Sequence, residues 1–106
     1  MGKYKVEFSH RANAQLRSIF SYIAEEDPNA ALKLVEMLEM RARQLESTPL
    51  LGAELQQNEY PFLRPGYRRL VVKQFIMYYR VTENTVYVTH IIHARRNQSN
   101  ALTDAV

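Results

Sequence analysis

The chain opens on a period-two pattern. Tyr4-Lys5-Val6-Glu7-Phe8 alternates apolar and polar positions, which predicts a half-buried strand. The period then changes to that of a helix. Ser9 is a suitable N-cap, and Ala12, Leu16, Ile19, Phe20 and Ile23 recur at three- and four-residue spacing. Glu25-Glu26-Asp27-Pro28 ends this helix and begins a second. Asp27 can cap it, and Pro28 suits its first turn, where a missing N–H removes no hydrogen bond. Ala31, Leu34, Val35, Leu38, Ala42 and Leu45 form the second apolar stripe, to about residue 46, with Met37 and Met40 beside it expected to fill gaps in the core.

Ser47-Thr48-Pro49-Leu50-Leu51-Gly52 opens a loop that runs to Pro65-Gly66, a type II turn signal. Three strand-like runs follow, over residues 67–72, 74–81 and 85–93. The second puts Phe75, Met77, Tyr79 and Val81 on one face. In the third, Val86, Val88, His90 and Ile92 alternate with Tyr87, Thr89, Ile91 and His93. Lys73-Gln74 and Glu83-Asn84 are short enough to be hairpin turns. The predicted fold is α+β with order β-α-α-β-β-β: a two-layer domain with a helical hairpin packed on a mostly antiparallel four-stranded sheet. Arg and Tyr should collect on the sheet face that the helices leave uncovered and at the sheet's end.

Length and composition narrow the class. At 106 residues the chain is expected to be one domain, with a polar tail over 97–106. It has no cysteine, which fits a reducing compartment. The first ten residues do not resemble a signal peptide, and no apolar run reaches the roughly 20 residues needed to span a bilayer. A cytoplasmic protein without membrane association is expected.

The net charge of +3 is unevenly distributed. Residues 1–60 hold seven basic and nine acidic residues, net −2. Residues 61–106 hold seven basic and two acidic residues, net +5, and six of those seven are Arg. This asymmetry points to a polyanionic partner, and Arg suits bidentate contacts with phosphate or carboxylate.

Chemistry based on metals or nucleotides finds no footing. His10, His90 and His93 show no ligand spacing, and three scattered glycines make neither a P-loop nor a dinucleotide-binding turn. No metal or cofactor is expected. What remains is Arg64, Arg68, Arg69, Arg80, His93, Arg95 and Arg96, interleaved with Tyr60, Tyr67, Tyr78, Tyr79 and Tyr87. Arginines and aromatic rings on a sheet suit RNA, and His93 is a candidate general acid or base. Strand parity puts Arg68 and Arg69 on opposite faces, so one of them should be structural, paired with a helix acid. One of Tyr78 and Tyr79 should be core.

Leu63-Arg64-Pro65-Gly66-Tyr67-Arg68-Arg69, Met77-Tyr78-Tyr79-Arg80-Val81 and Ile91-Ile92-His93-Ala94-Arg95-Arg96, in this order and spacing, resemble a toxin of the RelE/ParE superfamily. The N-terminal half agrees, through Leu16, Ile19, Tyr22-Ile23-Ala24 and Ala30-Ala31. The resemblance covers nearly the whole chain. It implies the toxin of a type II toxin–antitoxin pair, neutralised by a cognate antitoxin, and allows a homodimer or a toxin–antitoxin heterotetramer. Fold does not fix mechanism here. RelE-like members cut mRNA on the ribosome, whereas ParE-like members poison DNA gyrase. Ile76 and Leu102 stand where the RelE ribonuclease pattern has Arg and Tyr, while Arg96 matches. These departures favour the ParE branch. If the chain were a ribonuclease, His93, Arg96 and Arg69 would be its catalytic set. Arg64, Arg68, Arg80, Arg95 and Tyr79 are the expected contacts to target or antitoxin.

Overall fold

A computed structural model describes residues 3–55 and 66–94. Its elements are β1 (Lys5–Phe8), α1 (His10–Ala24), α2 (Pro28–Gln44), β2 (Ala53–Glu54), β3 (Tyr67–Val72), β4 (Phe75–Val81) and β5 (Thr85–His93). Both predicted caps form. The Ser9 hydroxyl accepts from the Ala12 N–H and the Asp27 carboxylate accepts from the Ala30 N–H, each satisfying a donor that the helix start leaves open. Gly66 takes φ +98°, as the turn before β3 requires. The tight β3–β4 turn is closed by Lys73 at φ 57°.

The strand order is β1-β5-β4-β3-β2. Neighbours are antiparallel except β1 and β5, which run parallel because the helical hairpin carries the chain across the sheet before the antiparallel strands begin. The sheet thus has five strands rather than the expected four. The extra one, β2, is two residues long and pairs Ala53 with Arg69 and Glu54 with Arg68. Ala12, Leu38, Ala42 and Leu45 of the helical layer pack on Leu70, Val72, Phe75, Met77, Tyr79, Val86, Val88 and Ile91. Met37 borders this core as expected, but Met40 does not: it is 56% exposed.

One irregularity redirects β5. Tyr78 pairs with His90 but Tyr79 pairs with Val88, so Thr89 is an extra residue and a β-bulge. The expected alternation therefore breaks. Val86 and Val88 face the helices, but after the bulge Ile91 and His93 do so, while His90 and Ile92 turn to the other face. β1 ends at Phe8, which leaves the edge of β5 beyond Val88 without a strand. Residues around α1 take its place. The Ser9 hydroxyl donates to the Thr89 carbonyl, the Gln15 side-chain carbonyl accepts from the Ile91 N–H, and the Arg11 guanidinium meets the His90 ring at 3.0 Å. Buried backbone groups need such partners.

Among the described residues, no helix is long and apolar enough to cross a membrane.

Candidate functional site

The face turned away from the helices is organised in three rows by strand register. The first row runs Glu7, Tyr87, Arg80, Tyr67 across β1, β5, β4 and β3. The second is His90, Tyr78, Arg69, and the third is Ile92, Ile76, Val71. Side chains directly opposite one another in such rows are close enough to touch. The Arg80 guanidinium lies over the Tyr87 ring, 5.7 Å from its centroid, and remains exposed. The middle of the face is not the exposed Arg–Tyr surface that the sequence predicts. Ile76, Tyr78 and Ile92 are buried there, with Leu55, Tyr67 and Ala94 packed against them. Of the arginines on this face, Arg80 is exposed, whereas Arg11 and Arg69 are half-buried.

Arg11 and His90 form a buried polar knot on this face. His90 is 3% exposed, with Nε2 against Arg11, Nδ1 at 2.9 Å from the Thr89 hydroxyl, and its ring edge-on to Tyr78. Burial first, and the Arg11 charge second, lower its pKa from 6.5 to about 4. The ring is neutral at pH 7. It therefore accepts from the guanidinium at Nε2 and donates to Thr89 at Nδ1.

Two of the three residues expected to form a catalytic set, His93 and Arg69, lie on opposite faces of the sheet. His93 sits opposite Phe75, edge-on to that ring at 5.1 Å, on the helix-facing side. Arg69 sits opposite Tyr78 on the other face. The two are separated by three positions along β4, roughly 10 Å at about 3.3 Å per residue, and point away from each other. Arg96, Arg64 and Arg95 lie outside the described residues, as does Leu102.

Arg68 and Tyr79 have structural work. Arg68 donates to the Gly52 carbonyl at 2.6 Å and pairs with Glu54 at 3.3 Å, so its acidic partner is on β2 rather than on a helix. Tyr79, expected at the binding surface, is fully buried. Its hydroxyl donates to the Pro49 carbonyl at 2.9 Å and accepts from the Gly52 N–H at 2.8 Å, which pins the crossing loop under the sheet. Burial pushes the Tyr79 phenol above its ordinary value, outweighing the Gly52 hydrogen bond and the Arg68 charge, so it stays a protonated donor. Of the expected binding residues, Arg80 is the one that the described structure presents openly. Tyr67 and Tyr87, which flank it, were not singled out as site residues, although two-residue turns at Lys73-Gln74 and Glu83-Asn84 would have placed both opposite Arg80.

The profile of the ParE toxin of the type II toxin-antitoxin system parDE matches residues 6–98. The chain belongs to the ParE toxin family. It is the toxin component type of a type II toxin–antitoxin system, within the RelE/ParE superfamily. No curated protein sequence is significantly similar to this toxin. Solved structures that share its fold include the following three. A chromosomal ParDE toxin–antitoxin system from Pseudomonas aeruginosa superposes with a TM-score of 0.70 at 23% identity, over 88% of the toxin and 98% of that chain. The toxin–antitoxin complex RelBE2 from Mycobacterium tuberculosis gives 0.61 at 20% identity, over 88% and 93%. An Escherichia coli RelE double mutant in the free state gives 0.63 at 16% identity, over 93% and 92%.

Proposed function

We propose that this toxin arrests growth in the cytoplasm by poisoning DNA gyrase and that a cognate antitoxin neutralises it. The carrying observation is the buried apolar middle of the open face, Ile76, Tyr78 and Ile92, together with the separation of His93 from Arg69. Cutting RNA at a 2′-hydroxyl needs an acid–base group and a cation converging on one phosphate. On this sheet the two point to opposite sides. A binding protein needs no such convergence. It needs a rigid surface with a few desolvatable anchors, and the exposed Arg80 between two tyrosines supplies them.

The solved relatives described as a ParDE system and as a RelBE2 complex favour an antitoxin partner here too. A cavity of about 330 Å³ between the helices, lined by Leu16, Arg17, Phe20, Ser21 and Val35, suits it. An antitoxin helix with apolar anchors and a nearby acid would fit this pit.

Induction of the toxin in cells should produce double-strand breaks and an SOS response while mRNA is still intact. Early mRNA cleavage with an unbroken chromosome overturns the gyrase reading in favour of the ribonuclease. His93→Ala should keep full toxicity in the same cells. Its loss in a folded variant that still binds antitoxin would return His93 to a catalytic role.

A further inference from the structure

We infer, resting on the gyrase reading, that the end of the open face bearing Lys5, Glu7 and Arg80 docks on the target protein and selects alternating charges, a carboxylate for Arg80 beside a base for Glu7. Strand register puts Arg80 of β4, Tyr87 of β5 and Glu7 of β1 in one row. Val6 and Phe8 pack toward the helices, so Lys5 and Glu7 share the open face with Arg80. All three charged side chains are exposed, and among the described residues no ion pair joins them. Arg80 and Glu7 stand two strand spacings apart, roughly 10 Å. Strand pairing fixes that spacing, so the charges form a rigid pattern.

The rings beside Arg80 support it and offer nothing else. Tyr87 lies under the guanidinium, with its centroid 5.7 Å away, and Tyr67 packs against Ile76, Tyr78 and Ile92. Neither ring is open to a flat ligand. The outward N–H edge of Arg80 is a planar fork that takes a carboxylate in two parallel hydrogen bonds. The ring beneath already orients that fork, so docking costs less side-chain freedom. Glu7 decides what bears the carboxylate. A polyanion would lay negative charge on Glu7 as well as on Arg80, and like charges across an interface reject a partner. A folded protein surface can answer each sign with its opposite. Arg11 and Arg69 on the same face are half-buried, so they do not extend Arg80 into a basic stripe. The pit between α1 and α2 lies on the opposite layer, which leaves this surface to the target rather than to the antitoxin.

Inhibition of DNA gyrase on relaxed plasmid, titrated with toxin variants, tests this. Arg80→Glu should raise the toxin concentration for half-inhibition roughly tenfold or more. Arg80→Lys should raise it about threefold, because lysine keeps the charge but not the fork. Glu7→Lys should also weaken inhibition several-fold, although it makes the toxin more basic. Circular dichroism melts and co-purification with the antitoxin should match wild type for all three variants, whose altered side chains are exposed. Wild-type inhibition by Arg80→Glu overturns the inference. Stronger inhibition by Glu7→Lys overturns it in favour of a polyanionic partner. Loss of the antitoxin together with gyrase inhibition overturns it by giving the surface to the antitoxin. If the wild-type toxin leaves gyrase untouched, the gyrase reading fails by itself, and growth arrest on induction then judges the surface. Arrest unchanged in Arg80→Glu overturns it. Arrest abolished in that folded variant, with mRNA intact in cells making the wild type, upholds the surface on another protein target.

Discussion

Gly52→Ala is expected to be the most destabilising single-methyl change in the described structure, at about 4 kcal/mol, the sum of overpacking and unmade hydrogen bonds. A Cβ at this position would run into the Arg69 carbonyl oxygen and would lie 2.8 Å from both the ring edge and the hydroxyl of Tyr79. The Arg69 carbonyl belongs to the β2–β3 ladder and cannot retreat without breaking it. Nor can Tyr79 move freely. Its hydroxyl bridges Pro49 and Gly52, and displacing it leaves a carbonyl and an N–H unsatisfied. For a domain of about this size, 4 kcal/mol corresponds to a fall in Tm of roughly 15 °C or more. Gly66→Ala is the comparison. Gly66 has φ +98° but nothing within 4 Å of a new Cβ, so only local strain of about 1 kcal/mol should appear. Thermal melts of the two variants measure the difference. Equal melting points would show that the close packing around Tyr79 does not limit stability.

Acidification should weaken the fold through His90. Its folded pKa of about 4 lies below the ordinary 6.5, so the unfolded chain binds the proton more readily. Stability contributed by neutral His90 is complete above pH 6.5 and is lost progressively as pH falls toward 4. At about 1.4 kcal/mol per pKa unit the full loss is about 3 kcal/mol, most of it before carboxylates titrate. The geometry supports the sign. A proton on Nε2 would stand 3.0 Å from the Arg11 guanidinium, and the groups around the ring, Thr89 and Tyr78, bring no negative charge. Chemical denaturation between pH 7 and pH 5 should show the decline in wild type. His90→Gln should be less stable at pH 7 yet nearly flat across that range. A flat wild-type profile would place His90 in a wetter setting than this one.

Much of the architecture could be read from the chain because local signals agreed with global packing. Alternation over residues 4–8, the Ser9 and Asp27 caps and the two apolar stripes all pointed to one hairpin on one sheet. Three features escaped. The two residues of β2, Ala53 and Glu54, carry no pattern, and only pairing with Arg68 and Arg69 makes them a strand. The Thr89 bulge hides inside a strand where Ile91 and Ile92 are both apolar, so composition does not reveal the change of face. Tyr79 shares its face with Phe75, Met77 and Val81, which marks it as core but not as the anchor of a loop. Its role depends on Pro49 and Gly52, about thirty residues away, which no local rule connects. The site followed the same division. Arg80 was identifiable from its aromatic, basic surroundings. The separation of His93 from Arg69 required the register that the bulge sets.

The central claim is that this ParE-family toxin acts by occupying gyrase rather than by cutting RNA. Purified toxin added to DNA gyrase, ATP and relaxed plasmid tests it most directly. Supercoiling should stop and linear plasmid should accumulate as toxin approaches the gyrase concentration, and His93→Ala should do the same. Undiminished supercoiling at a large excess of folded toxin would contradict it.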